Sequence, residues 1–432
     1  MSTPLLTVIV PAYNSEDYLD RALTTLVGYG DELEAIIVND GSKDRTAEIA
    51  DDWAARYPSV RVIHQENKGH GGAVNAGLAA ATGTHVRVVD SDDWLDRRAA
   101  NAVLDVLREE REAGRDLDLL VTNYVYEKQG KAHKVTIRYR NVLPRGRTFG
   151  WDELGRCRYD QYLMMHALTM RTDVVRSSGL VMPEHTFYVD YLYSFVPLPY
   201  VRTIRYLDVD LYRYFIGRDD QSVNEKVMIT RLDQLARVNR AMTEALPARA
   251  DVEDKLWRYM VHYLRINAVV CSVMAQLSGT PEHLALKEEI WETMDDINSE
   301  ATERLRKDLL AALVRHASPA VVLRDSSSAS TDSRSLPLGE RQCRAMEAHA
   351  LADEGELHAL VAPLPRESEL VRDPARGIVA LEVGQSQRRV AQVSGVVHDR
   401  PPGLGGVAIA PVGAAGPVAK VGDVALIRCL HA

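Results

Sequence analysis

Over its first 128 residues this chain alternates short apolar runs with segments of helical periodicity. Leu5 to Val10 is an apolar run closed by Pro11, and after it Tyr18, Leu19, Ala22, Leu23 and Leu26 recur at helical spacing until Gly28 and Gly30. Glu34 to Val38 is the next run, followed by a helix over Thr46 to Arg56 that would bury Ala47, Ala50 and Trp53. The pattern then predicts a third strand at Val60 to His64 and a helix of small residues at Gly71 to Ala81. A fourth strand at His85 to Val89, a charged amphipathic helix over Asp96 to Ala113 and a fifth strand at Leu117 to Tyr126 complete it. Strands alternating with helices of this length pair in parallel through right-handed crossovers, so the expected fold is α/β with an open, mostly parallel sheet flanked by helices.

Ligands of such sheets bind beyond the carboxyl ends of the strands. Those ends read Pro11-Ala12-Tyr13-Asn14, Asn39-Asp40-Gly41-Ser42, Glu66-Asn67-Lys68-Gly69 and Asp90-Ser91-Asp92-Asp93. At the last of these a β-branched run meets three carboxylates within four residues. Asp90 and Asp92, one residue apart, can turn the same way and offer hard oxygen ligands to Mg²⁺ or Mn²⁺, and such a cation can carry a diphosphate. A strand-terminating turn with solvated charges has the same composition. Tyr13 can stack on a base or fill a partly buried core position. Asp40 can accept from a base ring N–H or a ribose hydroxyl, or cap the next helix, a task open also to Ser42 and Asp44. The stretch from Gly69 to Gly77 follows a strand, opens a helix and has Asp90 about 20 residues on, as a dinucleotide fingerprint would. Its third glycine would fall at Val74, however, and the fingerprint belongs after the first strand, where Pro11 to Asn14 stands. These glycines instead let backbone N–H groups, with Lys68 or His70, approach a diphosphate.

From about Gln129 the pattern changes to short strands and turns. Tyr124 to Lys128 and Val135 to Tyr139 flank Gly130 like a hairpin, and His166 to Arg171 and Thr203 to Tyr214 read as strands. Met182 to Tyr191 is a loop leading into an aromatic-rich helix, and Thr230 to about Ala317 is helical. The serine-rich stretch Ser326 to Ser333 is a linker. No Phe, Tyr or Trp follows Trp291, so the tail from about residue 325 is expected to be disordered or poorly packed, with a small accessory β module as the alternative.

A net charge of -9 argues against a nucleic-acid partner. Cys157, Cys271, Cys343 and Cys429 form no CxxC pair, so neither a zinc site nor a disulfide framework is indicated. Met1-Ser2-Thr3-Pro4 lacks a basic n-region, and the apolar stretch Ile266 to Leu277 falls short of the ~20 residues of a membrane span. A cytoplasmic protein is expected, with any membrane contact peripheral, at the inner face.

The order PxYN (Pro11 to Asn14), VNDGSKDRT (Val38 to Thr46), NKGHGGAVNAGLAAATG (Asn67 to Gly83) and DSDDW (Asp90 to Trp94) resembles a family 2 glycosyltransferase of the GT-A fold, over about residues 5–225. The resemblance implies inverting transfer of a sugar from a nucleotide diphosphate donor, by family tendency UDP-linked, with a divalent metal, Mn²⁺ or Mg²⁺, held by the DxD aspartates. The acceptor would be a hydroxyl of a glycan, a glycolipid or a cell-envelope polymer. On this resemblance Tyr13 and Asp40 hold the base. Pro11, Asn14, Asn67, Lys68, Gly69, Asn75 and Ser91 complete the nucleotide-sugar site. Asp90 takes the ribose or the metal, Asp92 the metal, and Asp93 assists or binds the donor sugar. The family's base is the Asp of a Glu-Asp pair before an aromatic-rich helix, which makes Asp190 the base although Val189 replaces the Glu; a helix cap is the alternative. Many relatives carry Arg where Val74 stands, so the diphosphate would be met by Lys68, His70, Arg213 or Arg218. The segment Tyr212-Arg213-Tyr214, Gly217-Arg218 and Gln221-Ser222-Val223 resembles the one that closes over the donor. The implied division is a catalytic domain at 1–225 (nucleotide half 1–128, acceptor half 129–225), a helical domain at 226–318 and a linker with its tail at 319–432. The departures at Val189 and Val74 leave a non-catalytic nucleotide-sugar-binding relative as the second reading. A sugar-phosphate nucleotidyltransferase would want a glycine-rich, lysine-bearing first loop, which Pro11 to Asn14 is not.

Overall fold

The computed structural model describes residues 3–128, 134–216, 225–308 and 311, with the backbone of 371–373 and 378–380. The expected turn at Gly130, the segment 217–224 with Arg218, Cys343, Cys429 and nearly all of the tail lie outside these residues.

The first half runs β1 (Leu6–Ala12), α1 (Leu19–Thr24), β2 (Leu33–Asp40), α2 (Thr46–Arg56), β3 (Val60–Gln65), α3 (Gly69–Ala80), β4 (His85–Val88), β5 (Trp94–Leu95), α4 (Arg97–Glu112) and β6 (Leu119–Lys128). There follow β7 (Val135–Ile137), β8 (Thr148–Phe149), β9 (Leu168–Arg171), α5 (Thr172–Ser177), α6 (Asp190–Phe195) and β10 (Ile204–Ile216). The helical part is α7 (Glu225–Thr230), α8 (Leu232–Ala245), α9 (Asp254–Ser278), α10 (Pro281–Ile297) and α11 (Ser299–Arg306), and a short antiparallel pair, β11 (Val371–Asp373) with β12 (Ile378–Ala380), lies far beyond.

The main sheet has the order β3-β2-β1-β4-β9-β6-β10-β5, with β7 on β6 and β8 on β10. β3, β2, β1 and β4 are parallel, as their alternation with helices demands. β9 then inserts antiparallel between β4 and β6, so the fifth strand does not neighbour the fourth. β1 continues through Pro11 instead of ending there, pairing Pro11 with Val38 and Ala12 with Asn39 of β2. β4 follows β1 only as far as Ile9, so the proline lies where β2 alone flanks the strand. On α3, Gly77 sits so close to β1 that an added Cβ would come within 2.3 Å of Ile9, which accounts for the small residues of that helix.

The helical part is interrupted where capping chemistry dictates. Gly279 takes a left-handed conformation at the end of α9 (φ 66°), the Thr280 side chain accepts from His283 N, and Pro281 opens α10. By length and composition α9 is, unlike the shorter apolar run seen in the sequence, long and apolar enough to cross a membrane, yet 72% of its apolar 18-residue segment is buried in the protein. It docks on the loops before β9: Leu163 N donates to the Tyr259 hydroxyl at 2.8 Å, and His262 Nε2 lies 2.9 Å from the Gln161 carbonyl.

Candidate active site

The carboxyl ends of β1 and β2 meet at a cavity of about 450 Å³ lined by Tyr13, Gly41, Lys43, His64, Gln65, Glu66 and Asn67. Tyr13 is half exposed there. Asn14, left-handed at φ 49°, ties the two strand ends together by accepting from Lys43 N at 2.8 Å and donating its own N–H to Ser42. Asp40 is buried, and its Oδ1 accepts from Gln65 Nε2 (2.7 Å) and Lys68 N (2.8 Å), while Asn67 donates to its carbonyl. Thus Asp40 holds the third strand-end loop in place. Ser91 Oγ lies 2.7 Å from Ser15 Oγ, which joins the β1 loop to the acidic turn.

Beyond β4 the chain turns tightly, with Asp93 N donating to the Asp90 carbonyl at 3.0 Å, and this brings residues 90 and 93 together. Asp93 is wholly buried; its Oδ2 accepts from the Tyr212 hydroxyl (2.6 Å) and its Oδ1 from Phe215 N (2.7 Å). Burial, with the charges of Asp92 and Asp90, pushes its carboxyl well above the ordinary range. Asp90 lies 2.8 Å from His70 Nε2 and 3.7 Å from His166 Nε2. Burial opposes its charge, yet contacts with His166 and His70 prevail and hold its carboxyl well below the usual range. For His70 burial likewise works against charging, but Asp90 and the charges of Asp190 and Asp92 raise its pKa.

Asp90, Asp93 and His166 each offer one ligand atom, and these atoms lie within 4.8 Å of one another. The two carboxylate oxygens suit Mg²⁺ or Mn²⁺, and the imidazole nitrogen favours the transition metal of the two, Mn²⁺. Asp92, expected beside Asp90 as a ligand, is not in this group, although its charge reaches Asp93 and His70. The Asp92 carbonyl accepts from Arg21 Nη2 at 2.6 Å. His166 comes from the turn before β9 and is wedged against Tyr214 and Tyr212, with ring centroids 4.5 and 4.6 Å apart. Sequence reasoning missed it, since a lone histidine before a short strand carries no spacing signal and only the insertion of β9 beside β4 brings it to Asp90.

Asp190, the first residue of α6, lies within charge reach of His166, His70 and Asp90; burial, then Asp90, raises its carboxyl pKa against the pull of the two histidines. The glycine-rich opening of α3 serves the loop that carries Asp190. Asn75 Oδ1 accepts from Met182 N (3.0 Å) and its Nδ2 donates to Met182 O (2.8 Å). Lys68 Nζ pairs with Glu184 at 3.1 Å, and His185 N donates to the Lys68 carbonyl. A Cβ on Gly69 would lie 2.9 Å from His185 N, and one on Gly71 2.6 Å from the Pro183 carbonyl. Arg213 is held by Asp96 (3.0 Å) and Glu127 (3.2 Å). Cys157 and Cys271 are unpaired.

This ordering of an aromatic cavity, an acidic turn and a second carboxylate on one sheet edge coincides with a family match over residues 7–164, described as Glycosyl transferase family 2. Residues 7–164 are similar to that family. Among curated relatives, the protein named "Putative glycosyltransferase EpsH" of Bacillus subtilis is 30% identical over 239 residues, covering 50% of this chain and 62% of EpsH. The chondroitin synthase of Escherichia coli is 36% identical over 108 residues, covering 25% of this chain and 16% of its own. The chain therefore spans less than two thirds of the curated relatives it matches. The crystal structure of S. aureus TarS in complex with UDP-GlcNAc superposes with a TM-score of 0.54 at 16% identity, covering 90% of this chain and 99% of that one. The shared architecture is the GT-A fold.

Proposed function

We propose that this chain is an inverting, metal-dependent glycosyltransferase that moves a sugar from a nucleotide diphosphate sugar, UDP-linked, to an acceptor hydroxyl of a glycan, glycolipid or cell-envelope polymer in the cytoplasm. The observation that carries the reading is that Asp190 stands within charge reach of Asp90 and His166, at the sheet edge that also holds the Tyr13 cavity. The fold shared with TarS, whose crystal holds UDP-GlcNAc, supports the donor class.

In this reading Tyr13 stacks on the base and Asp40 holds the loop under it. Asp90, Asp93 and His166 would hold a divalent cation, which supplies positive charge for the departing diphosphate. Asp190 removes the proton from the acceptor hydroxyl, the oxygen attacks C1 of the donor sugar, and the bond from C1 to the diphosphate oxygen breaks, inverting the anomeric centre. A carboxyl with a raised pKa is the better base for this task. The helices between Glu225 and Arg306 shape the acceptor side, and any membrane contact is peripheral.

The test is a panel of nucleotide sugars read by thermal shift with Mn²⁺ present and then chelated. One UDP-sugar is expected to raise the melting temperature only with metal. Asp190→Asn should keep that shift and lose transfer by about 100-fold or more; equal loss of both, or of neither, removes Asp190 from the role of base.

A further inference from the structure

The loop that carries Asp190 is strained and displayed in a way that reaching α6 does not require. Two of the three non-glycine residues with positive φ among the described residues lie in it, His185 at 48° and Tyr188 at 65°. A bulky aromatic side chain is strained in that region. The strain inverts the usual burial order: Tyr188, with its hydroxyl, is 8% exposed, whereas Phe187, which has no polar side-chain atom, is 39% exposed. The loop is fastened on both sides. Asn75 and Lys68 hold it to α3, while Phe187 N donates to Gln234 Oε1 of α8 at 2.8 Å and Arg237 Nη1 donates to Thr186 Oγ1 at 2.9 Å. Phe187 is therefore presented, three residues before Asp190.

One side of the Phe187 ring is taken by Arg231, whose guanidinium carbon lies 3.4 Å from the ring centroid. Arg231 Nη1 is buried without a hydrogen-bond partner, and among the described residues no carboxylate pairs with it. A sequestered guanidinium donor left unmade is unfavourable unless a ligand completes it. Arg237, six residues further on in α8, already faces Asp233. Through its contact with the Phe187 ring, Arg231 is tied to the loop that leads into Asp190 at the start of α6.

We propose that Phe187 and Arg231 form an acceptor subsite for an anionic carbohydrate chain, whose C–H face rests on the exposed side of Phe187 and whose negative group pairs with Arg231. The inference rests on the glycosyl-transfer reading, since it takes Asp190 to mark the attacked hydroxyl. A planar guanidinium serves a carboxylate and a phosphodiester alike, so the anion is a uronate or a sugar- or polyol-phosphate linkage.

The test uses calorimetric titration of the full chain with three probes: a glucuronate-containing tetrasaccharide, a glycerol-phosphate tetramer and a neutral glucan tetrasaccharide. One anionic probe is expected to bind about 10-fold or more tightly than the glucan, and which one binds identifies the anion. Arg231→Gln should abolish the preference, Arg231→Lys should keep part of it, and Phe187→Ala should weaken the anionic probe by about 5-fold. Equal binding of the neutral glucan, binding of neither anionic probe, or a preference unchanged in Arg231→Gln overturns the inference. Thermal shift with nucleotide sugars, run on each variant, reports the fold and the donor site separately. If no nucleotide sugar shifts any form of the chain, the transfer reading fails, whereas loss of the anion preference alone fails only the subsite.

Discussion

Asn75 is the residue whose sequence context and surroundings point to different tasks. By resemblance it belongs to the nucleotide-sugar site, yet both polar atoms of its side chain are taken by the backbone of Met182. A residue so engaged acts through the loop it fastens, and a shift of about 1 Å in a reacting group can lower a rate by about 100-fold. Asn75→Ala is therefore expected to reduce transfer by about 10-fold to 100-fold while leaving the metal-dependent thermal shift with the donor unchanged. Loss of the shift would instead make it a donor contact. That Tyr13, Asp40 and Asp90 stand at or just past strand ends was legible, because the alternation of runs fixes where a strand stops, whereas Asp190 was singled out by resemblance alone. His166 was not, and neither was the burial of Asp93 under Tyr212, since both depend on strands that arrive from the second half of the sheet.

At the scale of elements, Glu34 shows how β1, β2 and β3 are stitched together at the edge away from the site. Its carboxylate accepts from Thr7 Oγ1 (2.7 Å), Thr82 N (3.0 Å), Thr82 Oγ1 (2.9 Å) and Arg61 Nη1 (2.5 Å). Burial alone would raise its pKa, but these donors outweigh it and hold the carboxyl below its ordinary value. A depressed folded pKa means that the stabilisation is fully present above the unfolded value of about 4.3 and is lost as pH falls through the folded one. Glu34→Gln should lose about 1 to 3 kcal/mol in denaturant unfolding at neutral pH and flatten the acid limb of the stability profile; an acid limb of unchanged steepness would assign the acid sensitivity elsewhere. The same elements mark how far periodicity reaches. The span Thr46–Arg56 expected for α2 is the one observed, since nothing but its own amphipathic pattern decides it. The place of β9 in the sheet was not legible, because strand order is settled by tertiary pairing that a local pattern does not encode.

Across the whole molecule, the helical part and the second half of the sheet domain are joined by groups that neither can satisfy alone. Leu163 N, buried before β9, finds its acceptor only in the Tyr259 hydroxyl of α9, and Lys255 Nζ donates to the Leu154 carbonyl at 3.1 Å. Trp151 stacks on the Tyr259 ring with centroids 6.1 Å apart, and the rings of Tyr162 and Tyr263 approach to 4.8 Å. A buried N–H left without its acceptor forfeits about 1 to 3 kcal/mol. Tyr259→Phe keeps the ring and removes only the oxygen, so it should lower the main unfolding transition by that amount. Because the lost bond lies between the two parts, tryptophan signals from Trp53 in α2 and Trp291 in α10 should move together. If instead the α10 signal shifts while the α2 signal stays, the helical part unfolds on its own, and an acceptor subsite shared between α8 and the Asp190 loop would have no rigid frame to hold it.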